Sequence, residues 1–522
     1  MKWIFFISIF LLQITDQAIA QHLFLNLNNE TSQRYESILN SDSIAYHSSV
    51  RPQLITNYQV KDSIDNIIAV SNKSANWLFN KPFIGNYKKT NGFVINPILN
   101  YTAENSSSTN YLSSAIGISA MAYYGKNLTM VVNGWYNHTE YPEYISNQAD
   151  SLNIVPHWGA YSGSSKNAYW NKTFTGYLSY CPSKYFNIQA GKDKNFLGDG
   201  YRSLFLSDNS SPYSFLKITT SIWKIKYIVM YSAMQDIDSI SSKLNLNKKN
   251  ATLHYLSYNL SKNFNINLFE AVVWSAESND GYRGYDVNYL NPIIFFRPVE
   301  NSLSSPDNVF MGGGFKVRIL RHNQFYGQLL LDEFSLAEVK ANNGWWANKY
   351  GFQFGFKSYK LLGMKGVYLL AEYNYARPFT YSHWGASDNY GNTYEPIAHP
   401  LGSNFKEMVG ILSYNKNRWQ ISGKLVYSQS GKDTLGVNLG NNIYKPYTSR
   451  TNEYGNVMLQ GLKVDLTTVE LKSSYLINPN YNLRFELGVN IRNYSTIVGS
   501  SNQTFIFVGF KTNLYNNNID YY

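Results

Sequence analysis

Residues 371–383 read AEYNYARPFTYSH, a strand-like alternation that breaks at Pro378 and crowds Arg377, Tyr381 and His383 around the break. Four more stretches share this makeup: GKDKNFLGDGYRSLFLSDN (191–209), FFRPVENSLSSPDN (295–308), LDEFSLAEVKANNGWW (331–346) and AHPLGSNFKE (398–407). Each mixes charged and amide groups with aromatic or other ring side chains. Aromatic faces stack on the apolar faces of sugar rings, and planar polar groups hydrogen-bond hydroxyls. The candidates for glycan binding are Asp199, Tyr201, Arg202, Arg297, Glu300, Asp332, Trp346, Arg377, Tyr381, His383 and His399. The same residue types would also serve as an interfacial aromatic girdle and as charges that tie loops together.

Other chemistries leave no comparable trace. There is no Gly-x-Ser-x-Gly elbow, phosphate-binding glycine loop or His-Glu-x-x-His helix. His383, Asp388 and His399 lack a metal-site spacing, so no metal and no cofactor are expected. A barrel hydrolase with residues scattered over several strands would show no motif; the expectation is a non-catalytic protein.

The elements that must position these clusters are strands. In NLRFELGVNIRNY, Leu483, Phe485, Leu487, Val489 and Ile491 share one face, and Arg484, Glu486, Asn490 and Arg492 the other. YGFQFGFKSY sets Tyr350, Phe352, Phe354 and Phe356 against Gln353 and Lys357, and GFKVRIL sets Phe315, Val317 and Ile319 against Lys316 and Arg318. Run lengths of roughly 9–13 residues suit tilted membrane strands. The alternation predicts eighteen strands between residues 93 and 515, an even number. Tight connections (181–184, 321–323, 477–481) alternate with long ones (138–171, 278–311, 378–404, 430–462). Long loops on one side and short turns on the other predict an all-β fold over 91–522. That fold is a transmembrane outer-membrane β-barrel with the short turns periplasmic. On this topology every cluster above borders a long loop. The triplet Gly312–Gly314 is expected to ease close approach of neighbouring backbones. Inward charges such as Lys316, Arg318, Arg484 and Glu486 would line a channel if the barrel is open.

The N-terminus reads as a cleavable signal peptide over 1–20: Lys2, the apolar run WIFFISIFLL, and Ala18-Ile19-Ala20. Residues 21–90 do not alternate and are expected to form a small helical or irregular periplasmic segment, or a plug. The single cysteine, Cys181, excludes an intramolecular disulfide. Aromatics reach 16%, with 45 Tyr, while the mean hydropathy is −0.32. This outline fits an exported barrel better than a soluble multidomain chain. The formal net charge of +11 suits acidic polysaccharide or lipid phosphates, and equally a basic surface with no particular partner.

The stretches GKDKNFLGDGYRSLFLSDN, RPVENSLSSPDN, YGQLLLDEF, WWANKYGFQFGFK, EYNYARPFTYSH and AHPLGSNFKE resemble the Wzi capsule-assembly family. They are most similar to its branch from gliding bacteria, described as gliding-motility RemB-like. The resemblance implies an eighteen-stranded barrel in the outer membrane of a Gram-negative bacterium, with a small periplasmic helical part. It also implies lectin-like attachment of capsular polysaccharide to the cell surface. The expected partners are surface or capsular polysaccharide, outer-membrane lipid and lipopolysaccharide, and export or motility machinery, with no nucleic acid. A motility-associated surface protein and a porin-like channel are the alternatives.

Overall fold

A sheet that faces hydrocarbon must close, because a free edge would leave backbone N–H and C=O groups unpaired. In the structure, a computed structural model, it closes. The residues described are 23–39, 46–55, 76–86, 91–106, 109–125, 127–237, 246–278, 281–293, 307–434 and 436–522. The proposed signal segment, 1–20, lies outside them.

The strands are β1 Asn91–Ser106, β2 Asn110–Tyr124, β3 Leu128–Glu140, β4 Ala168–Ser183, β5 Phe186–Asp193, β6 Tyr213–Ile222, β7 Ile225–Ile237, β8 Leu246–Asn259 and β9 Phe264–Ser275. The circuit continues through β10 Asn308–Ile319, β11 Asn323–Glu333, β12 Lys349–Ser358, β13 Val367–Ala376, β14 Phe405–Lys416, β15 Trp419–Lys432, β16 Leu462–Asn478, β17 Leu483–Thr496 and β18 Gly499–Thr512. Each pairs antiparallel with its sequence neighbour, and β18 returns to β1 from Phe505↔Ser106 to Lys511↔Asn100. The result is a closed barrel of eighteen strands, as the alternation predicts.

The two faces follow the pleat. Phe354 is 50% exposed on the outer face of β12, while its neighbour Gln353 is 2% exposed on the inner face. Ile116, Phe174, Met408 and Leu471 also stand exposed on the outside. They belong to an apolar belt that water would penalise and lipid would cover. Connections of a few residues, such as 223–224 and 417–418, close one end. Long segments, including 141–167, 194–212, 377–404 and 433–461, cap the other. The turn 497–498 is a short exception there.

Much of the interior is filled with protein, and a space of about 330 Å³ remains beside Glu104, Lys424, Glu470 and Lys511. Helix α1 (Asn29–Leu39) lies at the short-turn end. There Glu36 pairs with Lys357 at 3.1 Å, and Glu30 with Arg484 at 2.6 Å. Val50–Arg51 forms a two-residue antiparallel pair with Phe196–Leu197, so the segment before the barrel meets a long loop in the lumen. Lys316 donates to Ser48 Oγ at 2.6 Å and to the Tyr46 carbonyl at 3.0 Å. Three of the four inward charges that could have lined a channel, Lys316, Arg484 and Glu486, are thus engaged by filling segments, Glu486 through Asn513 at 2.7 Å. Arg318 instead bonds the Lys262 carbonyl at 2.8 Å, at a short turn.

The glycine expectation holds at Gly314, where a Cβ would meet the backbone carbonyl of Gly327 on the next strand; Gly312 in addition admits a side chain, because a Cβ there would strike the Phe205 ring. That ring comes from the 194–212 loop and stacks on Phe269 of β9 at 4.7 Å and 9°.

Candidate functional site

The clusters that fall within the described residues converge at the long-loop end, but most of their side chains point inward. Inward groups on the strands require partners once water is displaced, and the loops supply them. Glu372 of β13 accepts from the main-chain N–H groups of Tyr201 (2.8 Å) and Arg202 (3.0 Å), and from the Tyr326 hydroxyl (2.6 Å). Arg202 donates to Glu407 of β14 at 3.0 Å and to Asp520 at 2.6 Å. His399, fully buried, bonds Glu407 at 2.8 Å and stacks on Phe405. Asp199 accepts from Ser48 Oγ at 2.5 Å. Asp332 pairs with Lys349 at 2.9 Å and accepts from the Tyr381 N–H at 2.8 Å. Tyr381, fully buried, stacks on Tyr390 and donates to the Leu204 carbonyl at 2.9 Å.

The remaining candidates sit higher. Trp346 and Trp345 both donate to Glu453, at 2.9 and 3.0 Å, and Arg450 lies 4.1 Å over the Trp346 ring. His383 is 3.8 Å from Asp388, and no group of three potential metal ligands occurs among the described residues. Arg377 is half-buried over Tyr350. Arg297 and Glu300 lie outside the described residues. The expected open glycan surface is therefore, for Asp199, Tyr201, Arg202, Asp332, Tyr381 and His399, a buried network that fixes the loops. Buried polar networks and ligand-facing clusters use the same residue types, so composition alone does not separate them.

Burial works on the charges of this mass. It would lower the Arg202 guanidinium, but Asp520 and Glu407 outweigh it and hold the group above its ordinary value. Burial pushes the Glu395 carboxyl up to about 8, with the His157 N–H donating to it at 2.7 Å.

The residues following β18 complete the filling. They enter from the short-turn end, with Tyr515 bonded to Thr175 and Asp193 (both 2.8 Å). They reach Tyr201 through Asp520 at 2.7 Å and end beside Arg492, which donates to the main-chain oxygen of Tyr522 at 2.8 Å.

Above Tyr521 and Tyr522 an open cleft of about 470 Å³ remains at the mouth. One wall is the inner face of β15–β18, with Lys432, Arg492, Tyr494 and Gln503; the other is helix α3 (Glu143–Leu152), with Tyr144 and Gln148. (The helix at Asn76–Asn80 is α2.) Alternation places Arg492 inward, but nothing local shows that α3 or Tyr521 and Tyr522 come to face it.

The fold and its filled lumen define an eighteen-stranded barrel of the outer-membrane type. No family model matches the sequence, and no curated protein matches it. Among solved structures the chain is similar to Wzi of Escherichia coli, an outer-membrane protein involved in group 1 capsule assembly and described as a carbohydrate-binding β-barrel. The TM-score is 0.54 at 12% identity, over 94% of this chain and 99% of that one. A BenF-like porin from Pseudomonas fluorescens Pf-5 superposes less well (TM-score 0.45, 9% identity, 80% of this chain and 98% of that one). OprD of Pseudomonas aeruginosa does likewise (0.42, 9%, 80% and 94%).

Proposed function

We propose that this chain sits in the outer membrane of a Gram-negative bacterium and attaches or organises surface or capsular polysaccharide there, without catalysis. The observation that carries the reading is the fate of the long loops. They pack into the lumen as a bonded mass and leave a cleft lined with aromatic and polar groups facing outward. On this reading the site binds rather than conducts: Arg202, Asp520 and their partners occupy the lumen, and the space left beside them is about 330 Å³. The carbohydrate binding described for the Wzi barrel agrees with this. Resemblance to the gliding-bacterium branch extends the proposal to motility machinery as a partner.

A glycan array probed with detergent-purified protein, run beside conductance in planar bilayers, tests it. Saccharide binding with no stable ion-conducting steps is the expected outcome. Stepwise conductance with no saccharide bound would replace the attachment reading with the porin-like one.

A further inference from the structure

One part of the outer wall is polar where lipid should lie. Asn250, Thr252 and His254 face outward on β8, and Glu270 stands opposite His254 on β9. All four are buried. Yet Leu216 of β6, paired with Tyr231, and Met311 of β10, paired with Glu270, are 40% and 43% exposed in the apolar belt. The polar groups are covered by Gly281–Ile293, which follows β9 and descends outside the barrel. Asn250 and Trp274 donate to the Gly284 carbonyl at 2.9 and 3.1 Å, and Thr252 to that of Tyr289 at 3.1 Å. The Tyr231 and Tyr227 hydroxyls donate to the carbonyls of Leu290 and Pro292, at 2.8 and 2.9 Å. Tyr227 lies just above the 223–224 turn, where β7 begins. From the level of Ala233, the partner of Asn250, to that of Tyr227 the descent covers roughly 20 Å of strand.

Main chain that is neither α-helix nor barrel strand stands at hydrocarbon depth only under protein cover or beside water. This segment has a single 3-10 turn, Val287–Leu290, and the wall covers only one side of it. On the other side Val287, Leu290 and Ile293 are 76%, 45% and 65% exposed, with Asn288 and Asn291 exposed between them. Residues 287–293 carry no charge, and Asp286 pairs with Arg283 at 2.6 Å. Asn288 Nδ2 donates to Asp286, and Asn291 Oδ1 accepts from the Ile293 N–H. Those bonds fix both amide orientations and leave Asn288 Oδ1 as an acceptor and Asn291 Nδ2 as a donor. A twofold contact needs a surface that carries both halves of each bond and no charge to repel its copy. This surface meets both conditions.

We infer that Gly281–Ile293 is the contact through which two copies of this chain pair side by side in the membrane. Asn288 of each copy accepts from Asn291 of the other, and Val287, Leu290 and Ile293 form an apolar seam. A twofold parallel to the barrel axis keeps both mouths on the same side. The pairing holds whatever the mouth binds.

The test uses the full chain with Cys181→Ser, reconstituted in lipid vesicles at low protein density and treated with a short bis-maleimide. Val287→Cys should cross-link to a dimer, while Leu471→Cys, on the outer face of β16, should not. Equal yields from the two positions overturn the inference, as does no cross-link at Val287→Cys. Asn291→Asp replaces the donor with an acceptor and should weaken the dimer at least about tenfold, read as mass against dilution in nanodiscs. Leu290→Asp should leave only monomer. An unchanged dimer in either variant places the contact elsewhere and overturns the inference. On producing cells, capture of a different protein by Val287→Cys in place of the dimer also overturns it.

Discussion

Arg202 and Asp520 lie 318 positions apart in the chain and meet at 2.6 Å inside the barrel. One comes from a long loop that folds down from the mouth, the other from the segment that climbs from the opposite end. Lys424 of β15 also reaches Asp520, at 2.8 Å, and Tyr201 donates to it at 2.7 Å. This carboxylate therefore ties loop, wall and trailing segment together.

Asp520→Asn should loosen that junction without unmaking the barrel. Removing one member of a buried ion pair costs about 3–5 kcal/mol, and the low end applies because Glu407 still partners Arg202. The expected result is an intact heat-modifiable barrel whose residues after 512 become accessible to protease. An unchanged cleavage pattern and unfolding midpoint would show that the junction does not hold the segment.

Acid and base should act on different carboxyls. Burial would raise Asp520, but Arg202 and Lys424 prevail and hold it well below the usual carboxylate range. Its contribution is complete above an unfolded value of about 3.9 and is lost only as pH falls through the folded one. Glu395, pushed up to about 8 by burial, has the opposite sign. Its contribution is full below the ordinary carboxylate value and is lost as pH rises towards 8. Thermal midpoints should therefore decline between about pH 5 and pH 8, and Glu395→Gln should flatten the decline. A wild-type midpoint constant over that range would contradict the assignment.

Phe354→Arg should place a charge in the lipid-facing belt at a cost of roughly 2–4 kcal/mol, seen as reduced folding yield into vesicles. The inner face is not permissive either. Gln353 donates to the Arg202 carbonyl at 3.0 Å and to Asn374 at 2.8 Å, so Gln353→Arg should also fold poorly. Alternation alone would call that position tolerant. Normal yield for Gln353→Arg would mean that the 194–212 loop leaves the lumen easily.

An epitope inserted at Lys166 should label on intact cells, and one at Leu362 only after permeabilisation. Both positions are exposed, at opposite ends of the barrel, and exposed loop tips tolerate insertion. Labelling with the reverse pattern would invert the proposed orientation.

The strands were legible because alternation must persist wherever one face meets lipid and the other does not. Phe354 against Gln353 and Leu487 against Glu486 are read correctly from the sequence alone. The loops were not legible, because Tyr381 and His399 look the same in a binding surface as in a buried network. One signal was present: Gln353, Glu372, Asn374 and Glu407 all face inward on strands, and such a concentration of polar groups requires either water or protein partners. The sequence does not show which. Residues after 512 were equally opaque: alternation carries the last strand to 515, while the ladder ends at Thr512.

The segments on either side of the barrel also touch each other. Leu27 bridges to Tyr515, the Asn29 N–H donates to Asn516 Oδ1 at 2.9 Å, and the Asn516 N–H donates to the Leu27 carbonyl at 2.9 Å. They do so near the line where β18 meets β1, the one strand junction in the circuit with no turn joining its members. From the wall the seam is held by backbone pairing and by two side-chain bonds, Thr512 N–H to Asn100 Oδ1 at 2.9 Å and Leu99 N–H to Thr512 Oγ1 at 3.2 Å, and these flanks latch it from within. Unzipping the seam would pull both flanks out of the lumen against their ion pairs. The last ladder and the interior packing must then form, and fail, as one cooperative unit.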